Sequence, residues 1–126
     1  MTPPDDRRYS ETHEWHKLDG DTLTLGLTKF AVDELTDITY VEMKPVGTTF
    51  EPGAVVGEVE SVKTTSDVYC AVGGEIVEVN TQLEEDPSLL NSDPYGQGWL
   101  IRVKVADPAP YESLMTAAEY AQRYSG

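Results

Sequence analysis

The sequence consists largely of short β-type runs separated by glycine-containing turns. Such runs cover Thr22–Gly26, Ile38–Met43, Val55–Ser61, Val68–Val72, Glu75–Val79 and Trp99–Val105. The clearest turns are Val46-Gly47, Pro52-Gly53 and Gly73-Gly74, and a Pro-Gly pair suits a type II turn. Many short strands with glycine turns predict a mainly β protein, either a β-sandwich or a partly closed barrel.

Alternation of apolar residues predicts which faces of two strands point inward. The predicted inward faces consist of Val55, Gly57 and Val59 in one run, and of Val68, Cys70 and Val72 in the next. Helical patterns are short and peripheral. Thr28 is predicted to cap a helix that runs to Leu35, a turn of helix is expected between Asp86 and Asn91, and a helix over Tyr111–Tyr124 is expected to cover a sheet edge or a sheet end.

Length and charge limit the function classes. With 126 residues, the chain is expected to form one domain over residues 1–126, with the polar, proline-bearing residues 1–8 flexible. Nine basic and 23 acidic residues give a net charge of −14, which disfavours binding to nucleic acid or to an anionic membrane. No apolar run is long enough to span a membrane, and the start lacks the apolar core of a secretory signal. We therefore expect a cytoplasmic protein.

Lys63 lies between two β runs, in the sequence Glu60-Ser61-Val62-Lys63-Thr64-Thr65-Ser66-Asp67. This order places Lys63 near an exposed hairpin tip. A surface lysine in a turn would be the ordinary interpretation, and the turn rules alone add little because no Gly or Asn stands beside it.

The surrounding segments match a known family in order. They are Tyr9–Trp15, Val46-Gly47, Glu60–Lys63, Ser66–Tyr69, Gly74–Asn80 and Asn91–Leu100. Together they closely resemble the glycine cleavage system H protein family, from about Tyr9 into the C-terminal helix. A match of this breadth is far more specific than a single short motif.

The resemblance implies a barrel-sandwich hybrid fold with short peripheral helices and a C-terminal helix. It also implies that Lys63 carries a lipoate in amide linkage, attached by a lipoate-protein ligase or a lipoyl transferase. The lipoyl arm would accept an aminomethyl group from glycine decarboxylase and deliver it to an aminomethyltransferase. Dihydrolipoyl dehydrogenase would then reoxidise the dithiol. No residue has a catalytic pattern, so we expect a carrier and not an enzyme.

H proteins of this family hold the loaded arm in a surface cleft, and the loaded arm ends in an ammonium group. The family residues that contact it correspond to Glu14 and Asp67, with Thr12 where a serine hydroxyl is usual. Carboxylates suit an ammonium partner. Without the resemblance, both acids would be read as solvated charges of an acidic protein.

Several positions depart from the usual H-protein pattern and keep an alternative open. Lys29-Phe30-Ala31-Val32 stands where Asp-Tyr-Ala-Gln is common, Thr36 replaces a glycine, and Cys70-Ala71-Val72-Gly73 replaces a proline-containing run. These departures favour an H-like lipoate-binding protein of another pathway, such as bacterial sulfur oxidation with a heterodisulfide-reductase-like complex. Retention of Glu14 and Asp67 favours glycine cleavage, and so does the base rate. An unmodified interaction domain is a third, weaker alternative.

Three other features of the sequence resemble functional sites. His13 and His16 resemble part of a metal site, but no third ligand is evident in the sequence. Met43-Lys44 resembles a biotin-accepting pair, but Pro45 follows it, which favours a loop lysine. Cys70 could exchange with a lipoyl disulfide, although its alternation with neighbouring valines favours a small buried residue.

Overall fold

The computed structural model describes residues 3–124 and shows a mainly β protein, as the sequence predicts. Nine strands are present in the described part: β1 Arg8–Tyr9, β2 Glu14–Asp19, β3 Thr22–Leu27, β4 Ile38–Met43, β5 Thr49–Phe50, β6 Ala54–Ser61, β7 Thr65–Cys70, β8 Gly74–Val79 and β9 Ile101–Val105. They form a six-stranded antiparallel sheet in the order β1-β2-β3-β9-β8-β5 and a three-stranded antiparallel sheet in the order β4-β6-β7.

The main core lies between the two sheets and is built from aliphatic side chains. Buried members include Leu23, Leu25, Val41, Val59, Val68, Ile76, Leu100, Ile101 and Val103. The inward face predicted for Val68, Cys70 and Val72 is confirmed, since none of these side chains is exposed.

The inward face predicted for β6 is confirmed at Val59 and wrong at Val55 and Gly57. A register shift between Val55 and Gly57 marks a β-bulge, and Val56 is buried together with Val59. A bulge adds one residue to one strand, so the alternation changes phase at that point. β7 also begins at Thr65, before the predicted Val68, because the polar residues after the turn pair with β6.

The five helices of the described residues lie outside the sheets. They are α1 Lys29–Leu35, α2 Gln82–Glu85, α3 Leu89–Ser92, α4 Ala109–Glu112 and α5 Ala117–Tyr124. The prediction for α1 is confirmed. The Thr28 side chain accepts a hydrogen bond from the backbone N–H of Ala31 at 3.2 Å, and Val32 and Leu35 are buried.

The single C-terminal helix predicted over Tyr111–Tyr124 is wrong, because two separate helices, α4 and α5, flank a β-bridge at Met115. Met115 exchanges two backbone hydrogen bonds with Tyr9, at 2.8 and 2.9 Å. This pairing covers the edge of β1, so the predicted covering of a sheet edge is confirmed. Tyr120 of α5 then stacks on Tyr9 with ring centroids 4.9 Å apart.

The N-terminal segment contacts a second, aromatic cluster, whose buried members are Tyr9, Trp15, Ala117 and Tyr120. The guanidinium of Arg7 lies 4.5 Å from the Trp15 ring centroid, and Arg7 donates a 3.0 Å hydrogen bond to the Tyr95 carbonyl. Residues 1 and 2, part of the segment expected to be flexible, lie outside the described residues, as do residues 125 and 126. Within residues 3–124, no helix is both long and apolar enough to cross a membrane.

Candidate functional site

The β6–β7 hairpin ends in a turn whose two tip residues are Val62 and Lys63. The Ser61 N–H donates to the Thr64 carbonyl at 2.8 Å. The Ser61 hydroxyl oxygen accepts hydrogen bonds from the N–H groups of Lys63 and Thr64, both at 3.1 Å. Val62 and Lys63 have negative φ angles, so this turn needs neither Gly nor Asn. Ser61 therefore fixes the tip by its own hydrogen bonds.

The hairpin tip also contacts the turn that follows α1. The Val62 N–H donates to the Asp37 carbonyl at 3.1 Å, while the Val62 side chain is 70% exposed. Lys63 is exposed as well, and its Nζ donates to the Glu34 carbonyl at 3.2 Å. The amine thus lies at the C-terminal end of α1 and remains open to solvent.

A cleft of about 340 Å³ includes Glu34 in its lining, the residue whose carbonyl accepts the hydrogen bond from Lys63 Nζ. Its apolar lining comes from β3 and α1 and consists of Leu27, Phe30, Ala31 and Leu35. Its polar lining consists of Thr12, His13, Glu34, Ser66 and Asp67. Leu27 and Leu35 are buried, whereas Thr12, Glu34 and Asp67 are exposed. The cleft thus has an apolar interior with carboxylates at its rim, which suits an apolar chain with a cationic end.

Glu14 is placed behind the cleft wall. Its side chain is only 1% exposed and it is not among the lining residues. Glu14 Oε1 accepts hydrogen bonds from the hydroxyls of Ser10, at 2.6 Å, and of Thr12. Glu14 Oε2 accepts one from the N–H of Tyr69 at 3.0 Å. Burial raises the pKa of Glu14, although these hydrogen bonds oppose the change.

Thr12 and Asp67 lie at the cleft itself. Thr12 links the cleft to Glu14, because its hydroxyl donates to that carboxylate. Asp67 stands on β7 in register with Glu58 of β6, which in turn faces Glu42 of β4. Three directly opposed acids on neighbouring strands repel one another, so a cation beside Asp67 would relieve that repulsion.

His13, considered above only as a metal ligand, is a cleft residue that the sequence did not reveal. Its backbone is left-handed, with φ 71°. Its Nδ1 lies 2.8 Å from the Tyr120 hydroxyl, and its ring lies 4.5 Å from that of Phe30. His16 has different surroundings: it is fully buried, and its Nε2 accepts a hydrogen bond from the Ala71 N–H at 3.1 Å.

Cys70 is a buried core residue, as the alternation predicts. Its side chain has no exposed surface, and its thiol donates to the Val72 carbonyl at 3.2 Å. Burial raises the pKa of Cys70 to about 12. Because thiol–disulfide exchange requires a thiolate, Cys70 is poorly suited to react with a lipoyl disulfide.

A family model described as glycine cleavage H-protein matches residues 7–125. The chain belongs to the glycine cleavage H-protein family. A glycine cleavage system H protein of Methylacidiphilum infernorum is 51% identical over 122 residues, which make up 97% of this chain and 95% of that protein. One of Thermus thermophilus is 49% identical with the same coverage. A probable glycine cleavage system H protein of Natronomonas pharaonis is 52% identical over 117 residues, 93% of this chain and 92% of that one.

Solved structures agree with this membership. The crystal structure of a glycine cleavage system H protein from Mycobacterium marinum superimposes with a TM-score of 0.88 and 41% sequence identity, and the match covers 96% of this chain and 98% of that one. The fold is therefore the lipoyl-carrier barrel-sandwich hybrid. The protein is a lipoyl carrier of the glycine cleavage type, with a lipoate covalently attached to a lysine as its cofactor. The alternative of a sulfur-oxidation carrier is not favoured.

Proposed function

We propose that Lys63 is the lysine that carries the lipoate. The position of Lys63 at the tip of the β6–β7 hairpin supports this proposal most directly. Its Nζ is exposed to solvent and lies 3.2 Å from the carbonyl of Glu34, a residue that lines the cleft. A ligase or a transferase needs an accessible amine, and a carrier needs a long flexible stem. Lys63 supplies both, and acylation removes its charge.

We further propose that the cleft holds the arm after it has been loaded by glycine decarboxylase. The apolar lining would cover the carbon chain of the arm, and the ammonium of the adduct would lie near Asp67 with Thr12 beside it. Glu14 would act from behind by holding the Thr12 hydroxyl. Glu34, which the sequence did not suggest, adds a further carboxylate to the lining.

The protein itself would catalyse no step. It would present the oxidised arm to glycine decarboxylase, shelter the adduct from water, deliver it to an aminomethyltransferase, and then offer the dithiol to dihydrolipoyl dehydrogenase. A lipoate-protein ligase or lipoyl transferase would attach the lipoate. We expect residues 1–126 to act as one lipoyl-carrier domain, and the cytoplasmic location stays a prediction from the sequence.

Intact-protein mass spectrometry tests the attachment site. After incubation with a lipoate ligase, ATP and lipoate, the wild-type mass should rise by one lipoyl group. Lys63→Ala should show no increase, whereas the control Lys44→Ala should behave as wild type, because Lys44 lies in a loop before Pro45. Equal lipoylation of Lys63→Ala and wild type would overturn the proposal.

A further inference from the structure

The turn formed by the end of α1 and the start of β4, residues 34–38, offers two backbone carbonyls to the hairpin tip. The Asp37 carbonyl accepts a hydrogen bond from the Val62 N–H at 3.1 Å. The Glu34 carbonyl accepts one from Lys63 Nζ at 3.2 Å. The last carbonyls of a helix have no partner within the helix, so the Glu34 carbonyl is a natural acceptor for a group from outside.

This turn has an unusual backbone that its surroundings must hold. Thr36 has φ 64° and ψ −137°, a region that strongly favours glycine and is disfavoured for a β-branched residue. Its N–H donates to the Val32 carbonyl at 3.0 Å, so the chain leaves the helix sharply at this residue. Without support, such a turn would relax and move both carbonyls.

Asn91 of α3 supplies that support. Its Nδ2 donates to the Thr36 carbonyl at 2.7 Å, and its Oδ1 accepts from the Ile38 N–H at 3.0 Å. The two bonds bracket Asp37 from both sides along the chain. Asn91 begins the Asn-Ser-Asp-Pro-Tyr-Gly segment, which the site described above does not use.

We propose that this turn, residues 34–38, is a binding seat for the secondary amide of lipoyl-lysine, and that Asn91 is the residue that positions it. The inference rests on the proposed lipoylation of Lys63.

Acylation converts an ammonium with three donors into an amide with one N–H. A single donor is enough for the bond to the Glu34 carbonyl, so that bond persists in the lipoylated protein. Because Glu34 also lines the cleft, the seat directs the remainder of the arm along α1 toward the cleft.

Hydrogen exchange at the lipoyl amide tests the seat directly. In protein labelled with ¹⁵N at the lysine side chains and then lipoylated, the Nζ of Lys63 becomes a secondary amide whose N–H can be followed by NMR. A typical net hydrogen-bond energy corresponds to about two- to tenfold slower exchange than in free Nε-lipoyl-lysine. Exchange at the rate of the free compound overturns the proposal, and this wild-type measurement depends on no variant.

The role of Asn91 is tested with an isosteric change and a matched control. Asn91→Asp keeps the acceptor for Ile38 and removes the donor to Thr36, so it should bring exchange of the amide close to the rate of free lipoyl-lysine. Asn80→Asp is the control, because Asn80 Nδ2 also donates to backbone carbonyls, those of Gln97 and Trp99 at 2.7 and 2.8 Å, and makes no hydrogen bond to the seat. Both variants should have a lower melting temperature than wild type, but only Asn91→Asp should speed hydrogen exchange at the lipoyl amide.

The other possible outcomes distinguish the role of Asn91, the attachment site and the seat. Equal effects of the two variants on amide exchange would show that general destabilisation is the cause, and would overturn the positioning role of Asn91. A Lys63 that the ligase leaves unmodified overturns the proposed attachment site and the seat together. A lipoylated Lys63 with an unprotected amide overturns only the seat.

Discussion

The carboxylate of Glu14 on β2 accepts a hydrogen bond from the backbone N–H of Tyr69 on β7 at 3.0 Å. Two residues further along the chain in each case, Nε2 of His16 on β2 accepts from the N–H of Ala71, just past the end of β7, at 3.1 Å. β7 is an edge strand of the three-stranded sheet, and these two side chains from the other sheet satisfy alternate N–H groups at the end of that edge. The contacts join the sheets directly behind the arm cleft.

Glu14→Ala should therefore destabilise the protein without preventing lipoylation. The change leaves the N–H of Tyr69 and the hydroxyls of Ser10 and Thr12 without their acceptor, and an unsatisfied buried group costs about 1–3 kcal/mol. Urea unfolding monitored by tryptophan fluorescence measures the loss. Glu75→Ala, which removes an exposed strand carboxylate, should stay within about 0.5 kcal/mol of wild type. If Glu14→Ala had the same free energy of unfolding as wild type, the buried hydrogen-bond network would be contradicted.

His16 should make the protein sensitive to mild acid. Burial lowers the pKa of His16 from 6.5 to about 4. Protonation of Nε2 would also replace the acceptor of the Ala71 N–H by another N–H donor. Between pH 4 and 6.5 the unfolded chain therefore binds more protons at this residue. The stability from neutral His16 is complete above pH 6.5 and is lost as the pH falls toward 4, at a cost of about 3 kcal/mol.

The comparison with His16→Gln isolates this contribution, because a glutamine oxygen can still accept from Ala71. The difference in the free energy of unfolding between wild type and variant should shrink or reverse as the pH falls from 7 to 4. The contribution of Glu14 to stability changes with pH in the opposite direction. Burial raises its pKa, so its contribution is greatest below its ordinary pKa of 4.5 and is lost as the pH rises through the value in the folded protein. Parallel pH curves for wild type and His16→Gln would refute the assignment.

Thr36→Gly should stabilise the protein. The φ of 64° and ψ of −137° at Thr36 cost a β-branched residue about 1 kcal/mol or more relative to glycine, and this outweighs the greater flexibility of glycine in the unfolded chain. Thr39→Gly provides the control of opposite sign, because Thr39 lies within β4, where glycine weakens a strand. A lower melting temperature for Thr36→Gly would show that the turn is not strained.

The sequence predicted the elements whose signals are local. The Thr28 cap, the strand Ile38–Met43 and the tip position of Lys63 all follow from neighbouring residues. The family resemblance added Thr12 and Asp67, which line the cleft, and Glu14, which lies behind it. What it missed depends on distant partners. The β6 bulge changes the phase of the alternation, and the helical pattern at Met115 is overridden by pairing with Tyr9.

Parts of the site were missed for a related reason. The Glu34 carbonyl belongs to the backbone, which carries no side-chain signature. His13 reaches the cleft because its backbone is left-handed and because Tyr120, 107 residues away, holds its ring. Asn91 likewise acts on a turn 55 residues away. Such contacts become visible only when the chain is folded.

Asp67 is expected to be the main carboxylate partner of the loaded arm. It is exposed at the cleft, whereas both oxygens of Glu14 already accept hydrogen bonds. A charge pair at a wet surface is worth about 0.2–1 kcal/mol, so Asp67→Asn should shorten the lifetime of the aminomethyl adduct up to about fivefold. The adduct is formed with glycine decarboxylase, and its decay in the isolated carrier is followed by mass spectrometry.

Two comparisons complete the test of Asp67. Glu58→Gln removes the acid of β6 that stands directly opposite Asp67 but does not line the cleft, so it should shorten the lifetime of the adduct less than Asp67→Asn does. Glu14→Gln should shorten the lifetime less than Asp67→Asn does, since Glu14 acts through Thr12. If the adduct has the same lifetime in Asp67→Asn and in Glu58→Gln, the ammonium does not contact Asp67. Glu34 is then the next carboxylate to test. If the decarboxylase cannot load the wild-type arm, the proposed exchange with that enzyme is wrong.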